Sequence, residues 1–232
     1  MPFDPFGDAG QEGIGYLRNF AGRKTASGVK RFEHEQHSKY VLTAIKNLQS
    51  YDLIDYNSVL DTHGVLFGMV YPWAGQDRLA LSPQLKNGGY VRKGSVVFAE
   101  PDLIRRFAGR ALEIASDPAK LADCTGRVFS LLAHAHPFLD GNGRTIHRIH
   151  GELVRRAAIS IDWTQIPHER FLAALTEDLL EPNRGFLDRL IAPFIHPNPA
   201  RDIIPEHLPL MRPPAPQARN LEIPDPAIKS KP

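Results

Sequence analysis

The chain has 232 residues, with 28 Lys and Arg against 26 Asp and Glu, so its formal charge at pH 7 is only +2. That balance excludes a general nucleic-acid binder, the single cysteine excludes a disulfide framework or a zinc site built on several thiolates, and no apolar run approaches the ~18 residues of a membrane span. With 42% hydrophobic and 9% aromatic residues, what remains is an ordinary globular protein long enough to bury a core without a covalent staple.

The opening MPFDPFGDAGQEG lacks the basic start and apolar stretch of a secretory leader, so the expected location is cytoplasmic. The first 28 residues hold six of the 18 glycines. They read as a loosely ordered arm over residues 1–31, with one short helix near residues 16–20. Residues 32–48 place Phe32, Tyr40, Val41, Ile45 and Leu48 at helical spacing. A second helix is expected over 61–70, capped near Asn57 or Ser58. Residues 77–98 break the helical pattern. Leu79 and Leu81 on one side, Asn87-Gly88-Gly89 as turn material and Val96 to Phe98 on the other read as two strands of a hairpin.

Pro101 suits the first turn of the next helix, continued by Leu103, Ile104, Phe107, Ala111, Leu112 and Ile114. Further helices are expected over 121–135, 145–158, 168–180 and 184–195. Ten of the 20 prolines then fall within residues 197–232, which predicts an extended tail. The fold class is all-α with one projecting β-hairpin, and the compact domain spans 32–196.

The chemistry gathers in His136-Pro137-Phe138-Leu139-Asp140-Gly141-Asn142-Gly143-Arg144, between two predicted helices. A glycine-rich loop entering a helix start offers backbone N–H groups and the positive end of the dipole to an anion. Gly141 and Gly143 let the backbone approach a phosphate, Asn142 can donate an amide hydrogen bond, and Arg144 can pair with phosphate oxygens. Asp140 is a hard oxygen ligand suited to Mg²⁺ shared with a polyphosphate. His136 titrates near neutrality and could take a proton from an attacking hydroxyl. Base, metal carboxylate, anion seat and arginine form the parts of a phosphoryl or nucleotidyl transfer site. Each part has a plain structural reading as well: a Gly-Asn-Gly turn can merely connect, and a His-Pro pair can merely end a helix.

Together these residues resemble the Fic-domain signature, His-x-Phe-x-Asp/Glu-Gly-Asn-Gly-Arg-x-x-Arg, at every defined position but the last. Val70-Tyr71-Pro72-Trp73-Ala74-Gly75-Gln76-Asp77-Arg78 resembles the segment that leads into the flap of the same family. The resemblance covers about residues 32–195. It implies a Fic-type helical bundle with the hairpin as a flap over the active site. It implies transfer of AMP from ATP to a Ser, Thr or Tyr hydroxyl of a target protein, with release of pyrophosphate. His136 would be the general base, Asp140 the Mg²⁺ ligand, and Gly141, Asn142, Gly143 and Arg144 the phosphate-binding residues. The target would dock on the flap as an added strand, at Arg78, Leu79, Ala80 and Leu81. Phe138 would point into the core.

The departure is His147, which stands where the family has its last arginine, on the γ-phosphate; Arg148 follows it. A neutral histidine there would weaken the hold on ATP or suit another nucleotide. A Fic-fold binding module with little turnover is the alternative, as is transfer or removal of another phosphate-linked group. Self-inhibited members carry Ser/Thr-x-x-x-Glu-Gly/Asn, and no Ser or Thr here has glutamate four residues on. Either a separate small antitoxin-like protein inhibits the chain or it is not inhibited in this way.

Overall fold

The structure, a computed structural model, describes residues 5–7, 15–85 and 88–198. The first described pieces are two short strands, β1 (Phe6–Gly7) and β2 (Tyr16–Leu17), paired antiparallel. The helix expected near residues 16–20 is thus a strand, and the Phe20 N–H donates to Val70 O at 2.9 Å. Most of the expected proline-rich tail, from residue 199 on, lies outside the described residues.

Helix α1 (Ala26–Ser50) opens inside the stretch expected as an arm, because Thr25 caps it by accepting from the Gly28 N–H. Its inner stripe is Val29, Glu33, His37, Ala44 and Leu48. Helix α2 (Tyr56–Phe67) starts earlier than its apolar period implied. Asp55 accepts from the Ser58 N–H, and the Ser58 hydroxyl oxygen in turn accepts from the Asp55 N–H, a reciprocal capping box. The expected cap residue Ser58 therefore works from within the first turn.

Residues 77–98 differ most from expectation. Arg78–Leu81 form a helical turn, α3, because Asp77 accepts from the Ala80 N–H at 2.8 Å. Apolar residues two apart, Leu79 and Leu81, fit a strand but also a turn whose ends are capped. The hairpin is shorter and later: β3 (Arg92–Lys93) pairs with β4 (Val96–Val97) around Gly94 and Ser95. Pro101 opens a 3₁₀ turn that runs into α4 (Ile104–Ala115).

The helix expected over 121–135 is two, α5 (Pro118–Asp123) and α6 (Thr125–Ala135), broken at Cys124, whose φ of −140° is not helical. Helix α7 (Asn142–Arg156) is followed by β5 (Ile159–Ile161), α8 (His168–Leu180) and α9 (Phe186–Ile191). The chain then returns as β6 (Ile195–Pro197), antiparallel to β5. This last pairing has no local sequence signal, since two three-residue strands far apart carry no period.

Helix α6 is the central element: α4, α7, α8 and α9 all pack on it, while α1 and α2 close over α7. Leu66, Phe67, Val70, Tyr71, Trp73, Ile104, Leu132 and Ile149 fill the space between at 2% exposure or less. Helices α6 and α9 meet backbone to backbone at Gly126, where a Cβ would lie 2.4 Å from the Asp188 nitrogen and 2.6 Å from the Leu187 carbonyl carbon. Backbone cannot yield as a side chain does. Gly126→Ala should therefore cost about 1–3 kcal/mol, a fall in Tm of roughly 2–4 °C per kcal/mol. A melting curve that superposes on wild type would show that α9 can slide away.

Candidate active site

The motif loop joins the C-terminus of α6 to the N-terminus of α7. Helix α6 ends at His136, whose φ of 42° and ψ of 57° are left-handed. The following proline disfavours the right-handed helical conformation at this residue, and the chain turns out of the helix here. A non-glycine residue in that region costs on the order of 1–3 kcal/mol and persists only when its surroundings hold it. Two contacts do so. Its carbonyl accepts from Arg78 Nε at 2.7 Å, and its ring stacks on Phe98 with centroids 3.7 Å apart. The imidazole is half-buried, under the base of the hairpin.

Beyond Pro137 the loop folds around its own side chains. Phe138 is buried, as expected, and stacks on His63 at 3.7 Å and 14°. Asn142 reaches back to the Phe138 main chain: its Oδ1 accepts from the Phe138 N–H at 2.9 Å, and its Nδ2 donates to the Phe138 carbonyl at 2.7 Å. Asn142 therefore shapes the loop with its carboxamide. Its expected side-chain bond to phosphate is already committed, and only its backbone is left for an anion.

His63 was not singled out by the sequence, since a histidine within an apolar stretch carries no signal of its own. Its Nδ1 accepts the Gly75 N–H at 2.9 Å, which places the proton on Nε2, and Nε2 donates to the Asp140 carbonyl at 3.1 Å. Burial lowers its pKa to about 3, so it stays neutral and keeps this tautomer. Gly141, with φ of 79°, packs against the same pillar: a Cβ there would lie 2.6 Å from Phe67 Cε2 and 3.1 Å from His63 Nε2. Gly143 is different. A Cβ there meets nothing within 4 Å, so its side faces open space above the helix start.

That helix start is where the loop leaves backbone donors open. The first N–H groups of a helix have no intrahelical acceptor, and they point out of α7 beside Gly143. Asp140 takes the Gly141 N–H on Oδ1 at 2.6 Å and stands 3.8 Å from Arg144. Arg144 is held in place by residues the sequence did not flag. Its guanidinium pairs with the buried Glu33 of α1 and lies 4.7 Å over the Phe67 ring, while the other Glu33 oxygen accepts from the Tyr71 hydroxyl at 3.0 Å. One polar residue in a helical stripe looks like a solvated position, and only the docking of α1 on α7 reveals Glu33 as a partner.

The expectation for His147 is overturned. Three residues after Arg144 on α7, its ring turns into an aromatic box of Phe129, Trp163 and Phe171, with centroids 4.9, 5.5 and 5.8 Å away. Burial lowers its pKa to about 3. A neutral ring filling an apolar box serves packing. Arg148 is the next residue on the Arg144 face, and its Nε is buried with no hydrogen-bond partner among the described residues. The expected docking residues are also corrected. Arg78 and Leu81 are buried at 0% and 1%, and only Leu79 and Ala80 of that turn are exposed. A helical turn with two sides in the core offers no strand edge to a peptide.

Two measurements check these placements. His147→Arg should cost roughly 3 kcal/mol, because it buries a charge among rings, and it should leave ATP affinity unchanged; tighter ATP binding would return residue 147 to the nucleotide. The second concerns pH. Burial lowers His63 and His147 to about 3, and His37 and His150 to about 4. The unfolded chain, with imidazoles near 6.5, takes up protons first as pH falls. Stability should therefore drop from about pH 6.5 toward pH 4, by up to roughly 1.4 kcal/mol per pH unit for each imidazole. Equal urea midpoints at about pH 7 and pH 5 would show the rings to be hydrated.

Comparison with known proteins gives these residues a family. The Fic/DOC family profile matches residues 53–152. Protein adenylyltransferase VbhT of Bartonella schoenbuchensis is 26% identical over 182 residues, 75% of this chain but only 35% of that protein. The chain thus spans about a third of that relative's length. The probable protein adenylyltransferase y4lH of Sinorhizobium fredii is 28% identical over 172 residues, covering 70% of this chain and 83% of that one. Among solved structures, the AMPPNP-bound BepC protein of Bartonella tribocorum superposes with a TM-score of 0.60 at 21% identity, covering 79% of this chain and 93% of that one. The ADP-bound Fic domain of a putative cell filamentation protein of Bartonella quintana gives 0.63 at 24% identity, covering 78% and 91%. At such identities the structural likeness speaks for the fold, which is that of the Fic domain. Residues 53–152, which hold the loop between α6 and α7 and most of the helices that carry it, match the Fic/DOC family, and the fold around them is that of the Fic domain.

Proposed function

We propose that this protein transfers AMP from ATP to a Ser, Thr or Tyr hydroxyl of a target protein and releases pyrophosphate. The observation that carries the reading is the loop itself, which sets the His136 imidazole at one helix end and an open helix N-terminus, beside Gly143, at the next. Relatives named as protein adenylyltransferases support it, and so does AMPPNP bound in a structure of the same fold.

In this reading the triphosphate lies along the first turn of α7, where Gly143 leaves room for it and Arg144, braced by Glu33, presents a guanidinium already aimed. The target hydroxyl oxygen attacks the α-phosphorus, the bond to the bridging oxygen breaks, pyrophosphate leaves with that electron pair, and His136 takes the hydroxyl proton. The donor set fits magnesium: one partly exposed carboxylate, Asp140, beside a polyphosphate seat is the usual minimum for this ion. Bound there, the ion would neutralise charge on the departing pyrophosphate. The hairpin β3–β4, rather than residues 78–81, is the element placed to offer a target its strand edge, since Phe98 at its base lies on the His136 ring.

Over the background set by the lysate's own kinases, ATP labelled at the α-phosphate should add label to proteins of a cell lysate, and ATP labelled at the γ-phosphate should add none. His136→Ala should slow that labelling by about 10²–10⁴-fold with Tm and ATP affinity unchanged. Transfer of the γ-label, or undiminished labelling by the variant, would overturn the assignment.

A further inference from the structure

Arg78 is fully buried, yet all the hydrogen bonds of its guanidinium go to main-chain carbonyls. Nε donates to His136 O at 2.7 Å, Nη1 to Gly89 O at 2.6 Å, and Nη2 to both Ala99 O at 2.7 Å and Ala135 O at 3.2 Å. Its own backbone N–H donates to Pro137 O at 2.7 Å. The neighbouring carboxylate, Asp77, is spent on the Tyr56 hydroxyl, the Ala80 N–H and Arg105.

The four acceptors belong to two separate pieces of chain. Gly89 and Ala99 stand on either side of the hairpin β3–β4, so one side chain closes the base of the flap. Ala135 and His136 are the last carbonyls of α6, the negative end of its dipole, and they lead straight into the catalytic loop. Other contacts join the same two pieces: the Ala99 N–H donates to His134 O at 2.9 Å, and Phe98 stacks on His136. A planar fork with five fixed donors can meet carbonyls in several directions at once; a lysine ammonium cannot reproduce that geometry.

We infer that Arg78 is a positioning residue for the transfer reaction: it bolts the flap to the left-handed His136, so that a target docked on one is delivered in register to the imidazole of the other. The inference rests on the proposed transfer activity for its consequence, but the coupling itself can be tested without it. It also explains why this arginine is spent in the core instead of on a target. Reorienting His136 by an ångström or so would be felt in rate, while the nucleotide seat on α7, which Arg78 does not touch, would be unaffected.

Arg78→Lys decides the matter, because it keeps the charge and loses the fork. Amide hydrogen exchange should quicken together in residues 88–99 and 135–140, with α1 and α8 unchanged. Affinity for ATP, measured by calorimetry with magnesium, should stay as in wild type. Labelling of lysate proteins from α-labelled ATP should fall by roughly 10- to 100-fold, well below the melting range. A merely structural arginine would lower Tm and quicken exchange everywhere without changing the rate of the folded protein. Wild-type exchange and rate in Arg78→Lys would overturn the inference. Should that variant not fold, Gly89→Ala tests the coupling from the flap side. Gly89 has φ of 83°, and a Cβ there would lie 3.3 Å from Arg78 O. Exchange should then rise in the flap and in the loop together; a rise in the flap alone, or in neither, would overturn the coupling. If wild type labels nothing while the exchange pattern holds, the transfer reading fails and the coupling stands.

Discussion

The carboxamide of Asn142 grips both main-chain groups of Phe138, and the rest of the site depends on that clasp. It forces the chain to reverse between α6 and α7 within a few residues. The reversal drives the Phe138 ring inward onto His63 and lifts the backbone of residues 140–143 outward at the start of α7. A loop carrying both an imidazole and an open helix start has few apolar atoms of its own to bury. It is held instead by side-chain hydrogen bonds to its backbone and by one aromatic anchor in the core.

Beneath the loop, charge is handled in three distinct ways. Arg144 is neutralised by a buried carboxylate, with Tyr71 holding the second Glu33 oxygen. Arg78 is solvated by carbonyl dipoles; burial lowers its pKa to about 10, which leaves it charged at neutral pH. The histidines of the interior are kept neutral by burial. His63 can thereby serve as a fixed donor and acceptor between Gly75 and Asp140, and His147 as packing against rings. The half-buried His136 is set apart from them by place, at a helix end under the hairpin base.

The motif was legible because its chemistry is local. Glycines where the backbone must turn or lie open, a proline that ends a helix at the preceding residue, and a carboxylate beside a helix start are all consequences of neighbours in sequence. The long amphipathic helices were legible for the same reason, and α8 was bounded correctly at both ends. The strand assigned to Leu79 and Leu81 failed because a period of two over three residues cannot outweigh a cap by Asp77 and a buried Arg78. His147 was misplaced because family spacing, rather than the packing of α7 on α6 and α8, decided where its ring was expected to point.

The sequence by itself determined the helical class and the loop from His136 to Arg144, since those follow from residue type and short spacing. Tertiary structure alone decided which polar residues become buried partners. Glu33 meets Arg144 across 111 positions of chain, and Arg78 meets His136 across 58. Such pairings are set by which helix faces dock and by where a buried charge can find acceptors. No local period records either one, because the cost of burying a charge is settled only by the atoms that finally surround it.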